Sequence, residues 1–243
     1  GAQERRERST ARLAEKFTRH GFTVLVDQDL IRPGAEKKVT DVDIFALKGN
    51  YLFLIQVKMT FPSITLRDAH DHRRTALEKA IEQTEKSMHF FSDHWSYFCE
   101  QHTLPTDLDW ESLEMMPLIV STSLEWDHQL LSGYLKISQF ELERYLENDA
   151  CFLHWDPIQA IETPSWKQSH LFYPEGEELS GSKLKTLIEG NALWAYLEPA
   201  VEAKPLENYL WGFCEAQSAA AEAQEYFIRG NQRYDAGEYG KAA

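Results

Sequence analysis

Residues 40–60 read TDVDIFALKGNYLFLIQVKMT, two apolar runs around a Gly49-Asn50 pair, with Asp41, Asp43, Gln56 and Lys58 set inside them. A Gly-Asn pair suits a two-residue type II′ hairpin turn, which takes Gly at its first central position. Lys48 then faces Tyr51, and continuing that register places Asp43 opposite Gln56 and Asp41 opposite Lys58. Alternation puts the four polar residues on one face, together with Leu52 and Leu54, with opposed Cβ atoms about 5 Å apart. Val42, Ile44 and Ala46, with Phe53, Ile55 and Val57, form the other face as core. A slip of one residue would scatter the cluster, so the register is part of the expectation. The plainer reading is a solvated edge hairpin, with Asp41 and Lys58 as a surface ion pair worth little.

The four residues suit metal-assisted phosphodiester hydrolysis. A hard divalent cation takes oxygen ligands, and Mg²⁺ is typically held by one or two carboxylates, waters and substrate phosphate oxygens. Asp43 offers the carboxylate, and the Gln56 side-chain oxygen and Val57 carbonyl complete the protein side. Lys58 would orient or help deprotonate the attacking water and offset charge growing on the phosphate. Mg²⁺, or Mn²⁺ in its place, is the cofactor this chemistry asks for.

Outward from the hairpin, the chain alternates helical and strand patterns. ERRERSTARLAEKFTRHG, residues 4–21, has Leu13 and Phe17 four apart and ends in Gly21 at a C′ position. FTVLV, residues 22–26, is β-rich and leads into a polar loop with Pro33-Gly34. The hairpin strands cover roughly 41–47 and 51–58. Residues 62–95 read mostly as one long helix, with Ala76, Leu77, Ala80, Ile81, Thr84 and Met88 at helical spacing. A β-run at 116–126, a short strand GYLKIS and a helix QFELERYLEN follow. The fold class is therefore α/β: a mixed sheet flanked by helices, with hairpins first and a helical crossover later. Residues 1–148 form this domain. Residues 149–218, broken by prolines, are an irregular or helical subdomain, and the C-terminal part is mostly helical.

Residues 219–243 stand apart. Ala223, Tyr226, Gly230, Tyr234, Gly237, Tyr239 and Ala242 recur at a spacing that resembles the start of a tetratricopeptide repeat. One repeat cannot bury its face alone. The tail is expected to join further repeats, or to dock on this domain, a protein partner or a second copy.

Asp43 on one strand and QVK (56–58) on the next, between a helix–strand unit and a following helix, resemble the PD-(D/E)xK nuclease superfamily. The Gln-for-Glu form is most similar to its Mrr-type restriction endonucleases. The resemblance covers about residues 8–145. It implies a restriction-endonuclease-like core that binds Mg²⁺ and cuts DNA, in a setting such as bacterial defence. It also implies an outer-shell metal role for Glu15 and a reach into the site by Gln83, with Asp41 as an accessory carboxylate. Gln56 removes one negative charge from the usual two-carboxylate site. The superfamily also contains inactive scaffolds, so the competing expectation is a non-catalytic interaction module.

Charge bears on that choice. The chain of 243 residues carries a net −14, which argues against a nucleic-acid partner. Yet residues 1–58 hold eleven Lys/Arg against eight Asp/Glu, so the acidity lies in the remainder. Nucleic acid therefore remains open at the front of the chain. No apolar run approaches the roughly 20 residues that span a bilayer, and no secretory h-region follows the basic start. Cys99, Cys151 and Cys214 show neither disulfide nor zinc spacing, so a cytoplasmic address without membrane contact is expected. His70 and His72, two apart on a helix, would not face a common ion.

Overall fold

The computed structural model describes residues 2–60, 71, 73–105, 108–150 and 171–197. Helix α1 (Ala2–Arg19) opens the chain and stops at Gly21, whose φ of 73° is the left-handed conformation a C′ glycine adopts readily. Strands β1 (Thr23–Ile31), β2 (Lys38–Lys48) and β3 (Tyr51–Lys58) follow as an antiparallel meander. A π-helical turn at Arg73–Leu77 leads into α2 (Glu78–His102), which crosses over to β4 (Glu114–Ser121), parallel to β3. Strands β5 (Gln129–Leu131) and β6 (Tyr134–Ser138) form a second hairpin, and α3 (Gln139–Glu147) follows. After residue 170 come α4 (Gly181–Glu189) and α5 (Ala192–Leu197). The six strands form one mixed sheet in the order β1-β2-β3-β4-β6-β5.

The fold class is the expected one, an α/β mixed sheet flanked by helices. On one face, Leu13 and Phe17 of α1 meet Ile44, Phe53, Ile55 and Val57, joined by Leu142 and Tyr145 of α3. On the other, Phe45, Leu47, Leu52 and Leu54 lie under Phe90, Phe91, Trp95 and Phe98 of α2. Leu52 and Leu54 are therefore core, which rules out the solvated-hairpin reading of their face. Burying each such side chain contributes roughly 1.5–3 kcal/mol.

Residues 171–197 add to the first of these faces. Tyr173, Leu179, Leu184, Ile188 and Leu193 belong to the same buried cluster as α1 and β3. The approach is close at Gly181, where a Cβ would lie 2.4 Å from the Tyr51 Cβ. Only a glycine fits there without displacement.

The turn is the expected one: Gly49 has φ of 61° while Asn50 stays at negative φ, as type II′ requires. Lys48 pairs with Tyr51, and the register runs unbroken to Ile44↔Ile55. Several expectations need correction. Val42 packs with Phe45 and Leu47 on the α2 face, not with Ile44 and Ala46. The cause is a local reversal in β1 and β2. Asp27, between the Val26↔Ile44 and Gln28↔Val42 pairs, sits at φ of 50°. Beyond it Leu30 also belongs to the α2 face, although Val24, of the same parity, packs on the α1 face. Strand β1 runs five residues past the expected end at residue 26, and β5 had no counterpart in the sequence reading. The regular part of α2 begins at Glu78, and it bends at His94 (φ −135°). Cys99 is buried and unpaired. His70, His72, Cys151, Cys214 and the repeat-like tail at 219–243 lie outside the described residues.

Candidate active site

The backbone ladder between β2 and β3 stops at Ile44↔Ile55, one step short of the polar residues. Beyond that point side chains take over the bonds that a ladder would make. The Val57 N–H donates to Asp43 Oδ2 at 2.6 Å, and Gln56 Nε2 donates to the Asp41 carbonyl at 2.6 Å. The strands separate because a carboxylate and an amide occupy the hydrogen-bonding positions. Asp43 and Gln56 are each 2% exposed.

Gln83 of α2 bridges the remaining pair. Lys58 Nζ donates to Gln83 Oε1 at 2.8 Å, and Gln83 Nε2 donates to Asp41 Oδ1 at 2.5 Å. The expected direct pairing of Asp41 with Lys58 is thus an amide-bridged one. Lys38 lies 3.5 Å from the other Asp41 oxygen. Asp41, Asp43, Gln56, Val57, Lys58 and Gln83 therefore share one centre at the ends of β2 and β3.

Glu15 does not join them. It pairs with Arg19 at 2.5 Å on the exposed side of α1, its side chain 63% accessible. The residue that α1 sends to the centre is Arg6, whose Nη1 lies 3.8 Å from Asp43 Oδ1. Nine residues separate Arg6 from Glu15, which at 3.6 residues per turn puts them on opposite sides of the helix. Arg6 was not foreseen, yet a signal existed. Arg6, Thr10, Leu13 and Phe17 follow the i, i+4, i+7, i+11 stripe that faces a core.

Burial sets the electrostatics. Desolvation raises the Asp43 carboxyl above its ordinary 3.8, against the opposing pull of Lys58, the Val57 N–H and Arg6. Desolvation lowers the Lys58 ammonium from 10.5, helped by Arg6 and Lys79, while Asp43 and Asp41 push it back up. The carboxyl is thus shifted up and the amine down by burial, each against the opposing pull of the other.

A divalent cation fits the donor set on one observation. Gln56 gives its N–H to a carbonyl, which fixes the amide orientation, and its Oε1 is buried with no hydrogen-bond partner among the described residues. An enclosed acceptor without a donor costs on the order of 1–3 kcal/mol unless a water or cation satisfies it. Among the described residues no group of three or more His, Cys, Asp or Glu is placed to hold a metal ion, so any cation held here would rest on few carboxylates.

No family model matches the chain, and no curated protein matches it. Among solved structures, the small subunit of the heterodimeric restriction endonuclease R.BspD6I is similar at 9% identity and a TM-score of 0.31. The match covers 78% of this chain and 87% of that one. Among the described residues no helix is long and apolar enough to cross a membrane.

Proposed function

We propose that the chain is a metal-dependent nuclease domain that hydrolyses phosphodiester bonds of DNA. The observation that carries this reading is the buried, unsatisfied Gln56 Oε1 beside Asp43 and Lys58, on a hairpin end where side chains have replaced the ladder. Asp43, Gln56 Oε1 and the Val57 carbonyl would hold Mg²⁺ or Mn²⁺. When bound, that ion supplies Lewis-acid polarisation of the phosphoryl oxygens.

The chain's own groups do the rest. Lys58, whose ammonium burial lowers from its ordinary value, orients the attacking water and takes or returns a proton at Nζ. In its charged form it stabilises charge developing on the phosphate. Gln83 fixes the position of that amine by accepting from it while anchored to Asp41. The tetratricopeptide-like tail would carry a protein partner or self-association, and defence against foreign DNA is a setting consistent with both parts.

A second reading has a specific observation in its favour. Arg6 already supplies a cation 3.8 Å from Asp43, so a metal-free scaffold is chemically coherent. A plasmid and single-strand cleavage assay with Mg²⁺ or Mn²⁺ separates the two. Cleavage by the wild type that is lost in Asp43→Ala supports the nuclease. Absence of cleavage under every condition supports the scaffold.

A further inference from the structure

Two polar groups on the core stripe of α1 are enclosed and unsatisfied. Arg6 Nε and Thr10 Oγ1 are buried with no hydrogen-bond partner among the described residues. Thr10 is 1% exposed. A threonine inside a helix ordinarily returns its hydroxyl to the carbonyl four residues back. Thr18 does so to Ala14, Thr84 to Ala80 and Thr186 to Ser182, at 2.8–2.9 Å. Thr10 does not, so its hydroxyl is enclosed without an acceptor on the side of α1 that also carries Arg6, one turn away.

Arg6 is also under-used. A guanidinium presents five N–H donors in a rigid fork suited to phosphate. Its ion pair here is the 3.8 Å approach to Asp43 Oδ1, longer than a charge-assisted hydrogen bond. Arg6 and Lys58 both act on Asp43, and Arg6 also acts on Lys58. The spare donors of Arg6 and Thr10 ask for the same thing, an anion rich in acceptor oxygens.

We infer that Arg6 and Thr10 form a phosphate-binding subsite that holds the nucleic-acid backbone beside the Asp43–Lys58 centre. The choice of nucleic acid as ligand rests on the nuclease reading. The geometry of the subsite does not. Arg6 takes phosphate oxygens with its fork, Thr10 donates its hydroxyl, and Asp43 is released from its long ion pair as the phosphate arrives.

The test is binding of a short fluorescein-labelled duplex DNA to the full chain in EDTA, so that no cleavage intervenes, across a salt titration. Arg6→Ala should weaken binding about tenfold or more and make the log K against log salt slope shallower by about one, the signature of one lost phosphate contact. Arg6→Lys should keep the slope and lose part of the affinity, because the charge stays and the fork goes. Thr10→Val should cost about two- to fivefold with the slope unchanged, as for a neutral hydrogen bond. Arg8→Ala, which removes an exposed arginine paired with Glu4 on the same helix, should change neither. Circular dichroism and thermal unfolding confirm that each variant is folded.

Equal affinity and slope for Arg6→Ala and Arg8→Ala would overturn the inference and leave Arg6 as a counter-ion to Asp43. Failure of the wild type to bind would overturn it as well. The nuclease reading fails or stands separately, on Mg²⁺-dependent cleavage by the wild type. Cleavage with no role for Arg6 in binding sinks only the subsite, and Arg6-dependent binding without cleavage sinks only the nuclease.

Discussion

Two lysines sit on parallel strands to either side of β4, Lys136 fully buried and Lys58 half-buried, and their surroundings differ. Lys136 of β6 has a side chain wholly removed from solvent, with Nζ donating to the Ser123 carbonyl at 2.6 Å and to Asp127 Oδ1 at 3.0 Å. Around it Glu141 accepts from the Tyr145 hydroxyl at 2.7 Å and the Trp194 indole at 3.2 Å, and contacts His128 Nε2 at 2.5 Å. The Lys58 ammonium of β3 makes one hydrogen bond among the described residues, to an amide oxygen, and lies near Gln56 and Arg6, which carry unsatisfied atoms. Burial lowers both ammonium groups from 10.5. What separates the two is how many of each lysine's bonds are already made. Lys136 is held on two sides by groups that need it, while Lys58 is positioned and left available.

The largest effect on stability should come from Lys136→Met. Removing one partner from a buried pair leaves Asp127 without its counter-ion, at a cost of about 3–5 kcal/mol. Denaturant unfolding measures it, and a loss below about 1 kcal/mol would erase the distinction between the two lysines.

Asp127 gives the same region a pH signature. Burial, reinforced by Glu141, pushes its carboxyl from 3.8 to about 6, against the pull of Lys136 and Ser138. A carboxyl raised in the folded state binds its proton more tightly there than in the unfolded chain. Its contribution is therefore fully present below pH 3.8 and lost as the pH rises through about 6. At 1.36 kcal/mol per pH unit the change is at most about 3 kcal/mol. Compared with Asp127→Asn, the wild type should lose stability between those limits, and parallel stability profiles would contradict the assignment.

Smaller effects belong to the polar centre at the hairpin. Gln83→Leu should slow cleavage about tenfold through loss of the Lys58–Asp41 bridge while changing stability by less than about 1 kcal/mol. Single-turnover rates beside a melting curve separate the two. Glu15→Ala should change neither cleavage nor stability by more than about 0.5 kcal/mol, because its partner Arg19 is exposed. A large loss of activity there would return Glu15 to the centre.

Much of the hairpin was legible in the sequence for a physical reason. A Gly-Asn turn between two apolar runs determines its own register as far as Ile44↔Ile55, and side-chain bonds just beyond it gather Asp43, Gln56 and Lys58. The face reversal at Val42 was not legible, because it depends on a left-handed backbone at Asp27, a residue type that tolerates that conformation without requiring it. Lys136 looked like any lysine in a short strand. Its two partners come from the loop after β4, where Trp126 and His128 take positive φ, and no spacing rule places such a loop. Glu15 misled because resemblance supplied its role. The helical stripe that contains Arg6 points the other way.

One paired measurement tests most directly whether Lys58 serves chemistry or folding. Lys58→Met and wild type are compared for Mg²⁺-dependent plasmid cleavage and for unfolding in the same buffer. Cleavage should fall by about 10²–10⁴-fold while stability changes by less than about 1 kcal/mol. Cleavage unaffected by the substitution, or a stability loss as large as that of Lys136→Met, would contradict it.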